Sequence, residues 1–288
     1  MANALLTPTL ISKQALGFWQ NASILPSLFN RAYESEFGGG NGDTVTIRKQ
    51  ATLTASLYDR PTGVVVQDVV ESSVAVTVDK LYDVSVEITQ EQWDFDVADF
   101  GWQVAEPAGR ALSRMAEGLI ATELATHAAS TTWPQVDLIE GFINARGILN
   151  AAEVPLEQRF ILVSTEVASM LLMDPNFLKA NEAGDNGALR EARIGRFLGM
   201  DVYENVVLGA NEAYVCHKDA LKFVSVVPQL SRGAANGAVG SYDGLGLRTV
   251  FGYDQNKKQD LISFDSYYEI AALRGDPAYQ KLDITPTV

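Results

Sequence analysis

Cysteine is nearly absent: Cys216 stands alone in 288 residues. A single thiol excludes an intrachain disulfide and fits either a reducing cytosolic origin or indifference to redox state. Histidine is almost as scarce, with only His127 and His217, which excludes a His-rich metal site. Basic residues are outnumbered, 22 against 36 acids, for a net charge of -14. No cluster of Lys and Arg stands out, so the grip that sequence-specific nucleic-acid binding requires is missing. The acid excess reads first as solubility. No stretch reaches the roughly 18 apolar residues of a membrane helix, and no basic segment followed by an apolar run marks a secretory signal. The expectation is no membrane, and synthesis in a cytoplasm that the chain leaves only inside a larger particle.

Catalytic motifs are missing too. There is no Gly-x4-Gly-Lys-Ser/Thr run and no Gly-x-Ser-x-Gly elbow, and Gly244-Leu245-Gly246 alone is a weak dinucleotide signal. Cys216 and His217 are adjacent, and neighbours on a strand point to opposite faces, so Cys216 reads as a buried structural residue. Asp94-Phe95-Asp96-Val97-Ala98-Asp99 mimics the start of a calcium loop. Ala98 stands where a ligand belongs and Gly101 is out of register, so helix-start acidity is the better reading. No catalytic residue, cofactor or metal ligand is assigned, and an enzyme is not expected.

Against these absences, 47% of the residues are hydrophobic, enough for one large or two modest domains. Residues 1–36 read as an arm. Ile11 to Asn21 suits a short helix presenting Leu16 and Trp19, flanked by Pro8 and Pro26. Those apolar residues must dock on the chain's own core or on a neighbouring subunit. Gly38 to Gly42 reads as a joint. Two runs of period-two alternation follow, Thr44 to Leu57 and Val74 to Ile88. They predict two long strands, each spanning about 50 Å and each with one apolar face. Tyr58 to Val70 is the connecting tip. A two-stranded ribbon is marginal in water, and the next segment is helical, which favours a cover supplied by another molecule.

The chain is organised around Asp99 to His127. Val104, Ala108, Ala111, Leu112, Met115, Leu119 and Leu124 recur at helical spacing, and Asp94, Asp96 and Asp99 suit the helix N-terminus. Such a helix is about 40 Å long, with a kink or break near Gln103 to Glu106 imposed by Pro107. Beyond a linker, Thr131 to Pro134, a helix runs from Val136 to Ala151 with Ile139, Phe142, Ile143 and Leu149 on one side. Phe160 to Val163 is a buried strand. Ser164 or Thr165 caps a helix carrying Val167, Met170 and Leu171. Asn181 to Ala188 is a Gly- and Asn-rich loop. Gly199 to Val207 and Tyr214 to Val227 read as strands, Ser231 to Gly246 as a glycine-rich loop, and Leu245 to Tyr253 with Ile262 to Ala272 as a closing pair.

Three stretches resemble the tailed-phage major capsid (coat) proteins of the Hong Kong 97 type fold. Glu106-Pro107-Ala108-Gly109-Arg110-Ala111-Leu112 resembles that family's proline-bearing spine start. Arg159-Phe160-Ile161-Leu162-Val163-Ser164-Thr165-Glu166-Val167 resembles its central strand-to-helix step. Arg193 to Glu204, with Gly195 and Gly199 bracketing Phe197-Leu198 before Met200-Asp201-Val202-Tyr203, resembles its hairpin. The order of parts agrees along nearly the whole chain. The resemblance implies an α+β architecture: an arm at 1–36, an extended β-hairpin loop at 37–92, and a spine helix of a peripheral domain at 93–130. An axial domain at 131–244 and closing peripheral strands at 245–288 complete it. It implies a homo-oligomeric shell of pentamers and hexamers, a separate scaffolding protein, a portal protein, and residence in a virion capsid assembled in the host cytoplasm. Leu16, Trp19, Tyr58, Asp59, Arg60 and Pro61 become candidate subunit-interface residues, and Pro107, Gly195 and Gly199 structural ones. The tip lacks lysine, which speaks against a lysine-borne crosslink there. Three functions remain open: a phage capsid subunit, the shell of a bacterial nanocompartment of the encapsulin kind, and a soluble enzyme or binding module.

Overall fold

The computed structural model describes residues 8–31, 43–49, 53–61, 63–69, 72–95, 100–127, 129–174, 193–230, 236–242, 245–272 and 278–286. The chain opens with α1 (Pro8–Ala22) and the short α2 (Leu25–Leu28). Strands β1 (Thr44–Lys49), β2 (Ser72–Thr77) and β3 (Leu81–Thr89) lead to α3 (Gln90–Phe95). A π-helical turn, Gly101–Ala105, runs directly into α4 (Glu106–His127). Then come β4 (Ala129–Pro134), α5 (Leu138–Ala151), β5 (Arg159–Val163) and α6 (Thr165–Met173). The remainder is strand: β6 (Arg193–Phe197), β7 (Met200–Glu204), β8 (Glu212–His217) and β9 (Leu221–Val226), then β10 (Asn236–Tyr242), β11 (Leu245–Asp254), β12 (Gln259–Ala272) and β13 (Tyr279–Thr285).

Two sheets carry the fold. A six-stranded mixed sheet has the order β4-β13-β8-β5-β7-β6. All five residues of β5 are buried, as a central strand covered on both faces requires. A second sheet has the order β10-β11-β12-β3, with β9 also pairing β12. The spine α4 lies on it. Ala105, Ala108, Leu112, Ala116, Ile120 and Leu124 form the buried stripe, packed with Ile262, Phe264 and Tyr268 of β12. This stripe lies to one side of the one read from spacing alone. Ala111 and Met115 face out, Met115 at 51% exposure. The irregularity expected from Pro107 takes the form of the π-turn that precedes it. A proline cannot donate to the carbonyl one turn back, and a widened turn accommodates the loss.

Several expectations are corrected. The second long strand is two strands: β2 pairs with β1, while β3 pairs with β12, and residues 78–80 separate them. The first strand ends as a ladder at Lys49, and 53–57 are not part of a strand. The base of the hairpin is covered by its own chain, because Ile47, Val76 and Val78 pack with Val224. Tyr214 to Val227 is likewise two strands in different sheets, with a turn at 218–219. Within the expected loop Ser231 to Gly246, residues 236–242 form β10 along β11. Its glycines permit this: a Cβ on Gly237 would lie 2.6 Å from Leu230 and one on Gly240 3.1 Å from Ser12 Oγ. The linker at 131–134 is β4, parallel to β13. The boundary at 244/245 therefore does not follow the sheets, since β13 closes the sheet of β5 and β8 while β9 and β10 join β12 and β11. The Gly38 to Gly42 joint, the Asn181 to Ala188 loop, and Asp96 and Asp99 lie outside the described residues.

Candidate functional site

Residues 53–61 and 63–69 form no strand ladder and meet at an isolated antiparallel bridge between Asp59 and Gly63. The amide of Gly63 donates to the carbonyl of Asp59 at 2.8 Å, with Arg60 and Pro61 in the turn. Gly63 has a φ of 79°, a value that suits glycine. Below the turn, Thr54 N–H donates to Gln67 Oε1 at 2.9 Å, and Gln67 Nε2 donates back to the Thr54 carbonyl. Leu53, Leu57, Tyr58, Val64, Val65, Val66 and Val69 are all open, from 59 to 94% exposed. Scattered exposed hydrophobics are ordinary, but a contiguous set marks a surface that meets a partner. Tyr58, Asp59, Arg60 and Pro61 stand together at this tip. The valines were missed in reading the sequence. The signal was present: Val64-Val65-Val66 is a continuous apolar run where a solvated turn would be polar.

Leu16 and Trp19 do not lie on a free surface. They are 2% and 0% exposed within a single chain, and Trp19 packs on Tyr268 with ring centroids 6.0 Å apart. Neither has area left to offer a neighbour, so their assignment to a subunit interface is corrected to the chain's own core. The seat of α1 is close. A Cβ at Gly109 of the spine would fall 2.4 Å from the carbonyl oxygen of Ala15. The arm is held further along as well. Glu117 of α4 accepts from the amides of Ile24 and Leu25 at the start of α2, at 2.7 and 3.4 Å. Asn30 bonds through its backbone to Lys218 and Phe223, at the turn between β8 and β9.

Gly195 and Gly199 frame the β6–β7 hairpin. Leu198 and Gly199 have φ of 52° and 81°, the paired left-handed geometry of a two-residue turn matching strand twist. Gly195 sits beside a register shift in the same hairpin. Pro107 lines an open groove of about 630 Å³ with Arg110, Ala111, Arg114, Met115 and Val206.

The chemistry of the interior is structural. Cys216 is fully buried and its thiol is pushed up by that burial, which disfavours the nucleophilic thiolate. Arg159 is buried at the start of β5, donating to the carbonyl of Pro155 at 2.8 Å and, near the end of α5, to Asn150 Oδ1 at 2.7 Å. Burial lowers its pKa, with a further push from Arg146. Tyr214 donates to Glu212 at 2.7 Å, and Lys281 meets Glu212 and Asp283 at 2.6 and 3.0 Å. Among the described residues, no group of three or more His, Cys, Asp or Glu side chains gathers to hold a metal ion.

A family model described as phage capsid protein matches residues 71–279. No curated protein matches the chain in sequence. Among solved structures, one from Mycobacterium phage Che8 is 18% identical, covers 91% of this chain and 91% of its own, and superposes with a TM-score of 0.69. The capsid of cyanophage P-SCSP1u is 12% identical over 92% of this chain and 89% of its own, with a TM-score of 0.67. The holo-SrpI encapsulin complex of Synechococcus elongatus is 12% identical over 84% and 81%, with a TM-score of 0.51. At such identities the likeness speaks for the fold. The mixed two-sheet body on a spine helix is thus the Hong Kong 97 type fold, and with residues 71–279 matched to the family model, the chain belongs to the phage capsid protein family.

Proposed function

We propose that this chain is the structural subunit of a tailed-phage capsid, and that loop 53–69 is the part that laps onto neighbouring copies. Family membership makes it a shell subunit, with a structural rather than a catalytic role. The loop carries the finer reading: seven large apolar side chains stand 59 to 94% exposed on a segment that the same chain does not cover. Repeating that contact on every subunit builds a closed shell from a weak pairwise interaction. On this reading the copies form pentamers and hexamers, a separate scaffolding protein and a portal protein direct closure, and assembly takes place in the host cytoplasm. Electron microscopy of the purified product, with light scattering across salt and with scaffold supplied, tests it. Closed icosahedral shells or ring-shaped capsomers are expected. A monodisperse monomer under every condition overturns it. The encapsulin likeness keeps a nanocompartment as the second reading, and the contents separate the two: genomic DNA for the capsid, protein cargo for the compartment.

A further inference from the structure

Lys222, in β9, has no exposed surface at all. Burying an amine without polar partners is costly, and the fold gives it one from the far end of the arm. Its Nζ donates to Asn30 Oδ1 at 3.1 Å, across 192 positions of sequence. Asn30 and Lys222 are partners in a parallel β-bridge, so their side chains leave the backbone on the same face. Backbone bonds set that register. Asn30 N–H donates to the Lys218 carbonyl at 3.1 Å, and Phe223 N–H donates to the Asn30 carbonyl at 3.2 Å. The surroundings are apolar. Ala271 lies opposite Lys222 in the ladder with β12, and Val224, next along the same face of β9, packs with Ile47, Val76 and Val78.

A carboxylate completes the group. Asn30 Nδ2 donates to Asp219 Oδ1 at 2.5 Å. The Asp219 amide in turn donates to Nδ1 of the buried His217 at 3.1 Å, which fixes the turn that carries the carboxylate. The side-chain amide of Asn30 is therefore held at both ends, by an amine on its oxygen and an acid on its nitrogen. An amine attacks an amide carbon only in its neutral form, and burial favours that form of an amine. Holding nucleophile and carbonyl in contact replaces a bimolecular encounter with an intramolecular one. A polar cleft of about 440 Å³, with Asn30, Lys218 and Asp219 in its lining, opens beside the group. It gives a small polar leaving group a way out.

We propose that Lys222 and Asn30 join in an isopeptide bond within a single folded chain, with Asp219 carrying the proton. Nζ of Lys222 bonds to Cγ of Asn30, and the Cγ–Nδ2 bond breaks. Nδ2 leaves as ammonia, taking through Asp219 the proton that Nζ gives up. Nothing is oxidised or reduced, and no co-reactant or neighbouring subunit is needed. The product ties the end of the arm covalently to β9. Mass spectrometry of the denatured full-length subunit, after incubation of the folded protein, tests it. The expected mass is that of the sequence less one ammonia, and proteolysis is expected to give a branched peptide joining positions 30 and 222. Lys222→Met and Asn30→Ala are expected to keep their full mass. Asp219→Ala is expected to lose ammonia slower by about a hundredfold or more. A wild-type chain at full mass, with positions 30 and 222 recovered only in separate peptides, overturns the bond. So does a deficit that persists in Lys222→Met, which would mean that Asn30 had closed on its own backbone. An undiminished rate in Asp219→Ala overturns the part given to Asp219.

Discussion

Asp83 and Asp265 stand opposite each other in the antiparallel ladder of β3 and β12. They lie on the face away from Val84 and Phe264, whose side chains go to the core. Asp265 is 4% exposed. Arg248 Nε donates to its Oδ2 at 2.7 Å, and Nη1 of the same arginine reaches the carbonyl of Gln229 at 2.9 Å. Burial raises the pKa of Asp265, and the Asp83 carboxyl adds to it, against the opposing pull of Arg248. Ser85 donates to Asp83 at 2.8 Å on the same face, where the Lys80–Glu269 pair lies further along.

A carboxyl whose folded pKa is raised binds its proton more tightly in the folded chain. Its contribution is present at low pH and is lost as pH rises from the unfolded value, about 3.9, through the folded one. Asp83→Asn removes the facing charge. Unassembled subunits of this variant are expected to gain about 0.2–1 kcal/mol at pH 7, with a flatter loss of stability above pH 4. Urea unfolding from pH 3.5 to 7 reads both. A variant equally destabilised at every pH would show that Asp83 acts through Ser85 and not through charge.

The approach of α1 to the spine gives a steric prediction. A methyl on Gly109 meets the Ala15 carbonyl at 2.4 Å, whereas a methyl on Gly118 has Val207 Cγ1 at 3.8 Å as its nearest neighbour. Both glycines are on α4, so propensity alone favours alanine at each by about 1 kcal/mol. Gly118→Ala should be neutral or stabilising. Gly109→Ala should cost about 1–3 kcal/mol, because backbone must move. Thermal melting of the pair separates the two effects. Equal shifts would mean that α1 is not seated where it lies.

How much of this was legible follows from the range of each signal. The buried β5, the cap of Ser164 on α6 and the Gly199 turn are local, and their residues announce them. The spine was legible as a helix, but its buried stripe was not, since Ala105, Ala116 and Ile120 lie almost as well on the period as Ala111 and Met115. Only the position of β12 chooses between them. The split of 74–88 into β2 and β3 was hidden because both halves alternate in phase. It becomes visible only where β12 takes Leu81 to Thr89 as its partner. Sheet membership of β4 and β13 was similarly hidden, because a parallel pair more than a hundred residues apart leaves no mark in either strand. Of the candidate interface residues, Tyr58 at the tip is exposed while Leu16 and Trp19 of the arm are buried: Leu16 and Trp19 are apolar in either setting, and burial is a property of the partner.

Charge predicts the direction of a salt effect. Subunits of net charge -14 repel at long range, and the screening length falls from about 30 Å at 0.01 M salt to about 3 Å at 1 M. Assembly followed by light scattering should be faster in moderate salt than in very low salt. A rate that falls with salt would show that attractive ion pairs between subunits outweigh the overall repulsion.

Pro107 sits on the open side of the spine, just after the π-turn Gly101–Ala105. Pro107→Ala restores an amide donor and allows the turn to tighten to a regular α-helix. Melting of the unassembled chain should change by no more than about 1 kcal/mol, because the π-turn already accommodates the missing bond. Particle yield or curvature should change more if the spine, as proposed for a shell subunit, takes part in contacts between copies. Normal particles in normal yield would remove the irregularity from the mechanism.

The last prediction concerns the tip itself. Leu57 is 94% and Tyr58 64% exposed, and a backbone bond from Gly63 N–H to the Asp59 carbonyl, 2.8 Å long, joins the two sides of the turn. Little in the chain's own fold depends on residues 57–63: the nearest cluster of core, Ile47 with Val76 and Val224, lies at the base of the hairpin. Replacing 57–63 with a Gly-Ser linker should therefore leave far-ultraviolet circular dichroism and melting of the subunit nearly unchanged. Exposed charges such as Asp59 and Arg60 contribute only about 0–1 kcal/mol per pair, and each apolar side chain buried on assembly contributes about 1.5–3 kcal/mol. The loss should therefore come from Leu57 and Tyr58 more than from the charged pair. Shell formation should fail in the linker variant and survive Asp59→Asn with Arg60→Gln. Normal shells from the linker variant would show that the loop is not the clamp, and a collapsed melting temperature would show that it packs on its own chain.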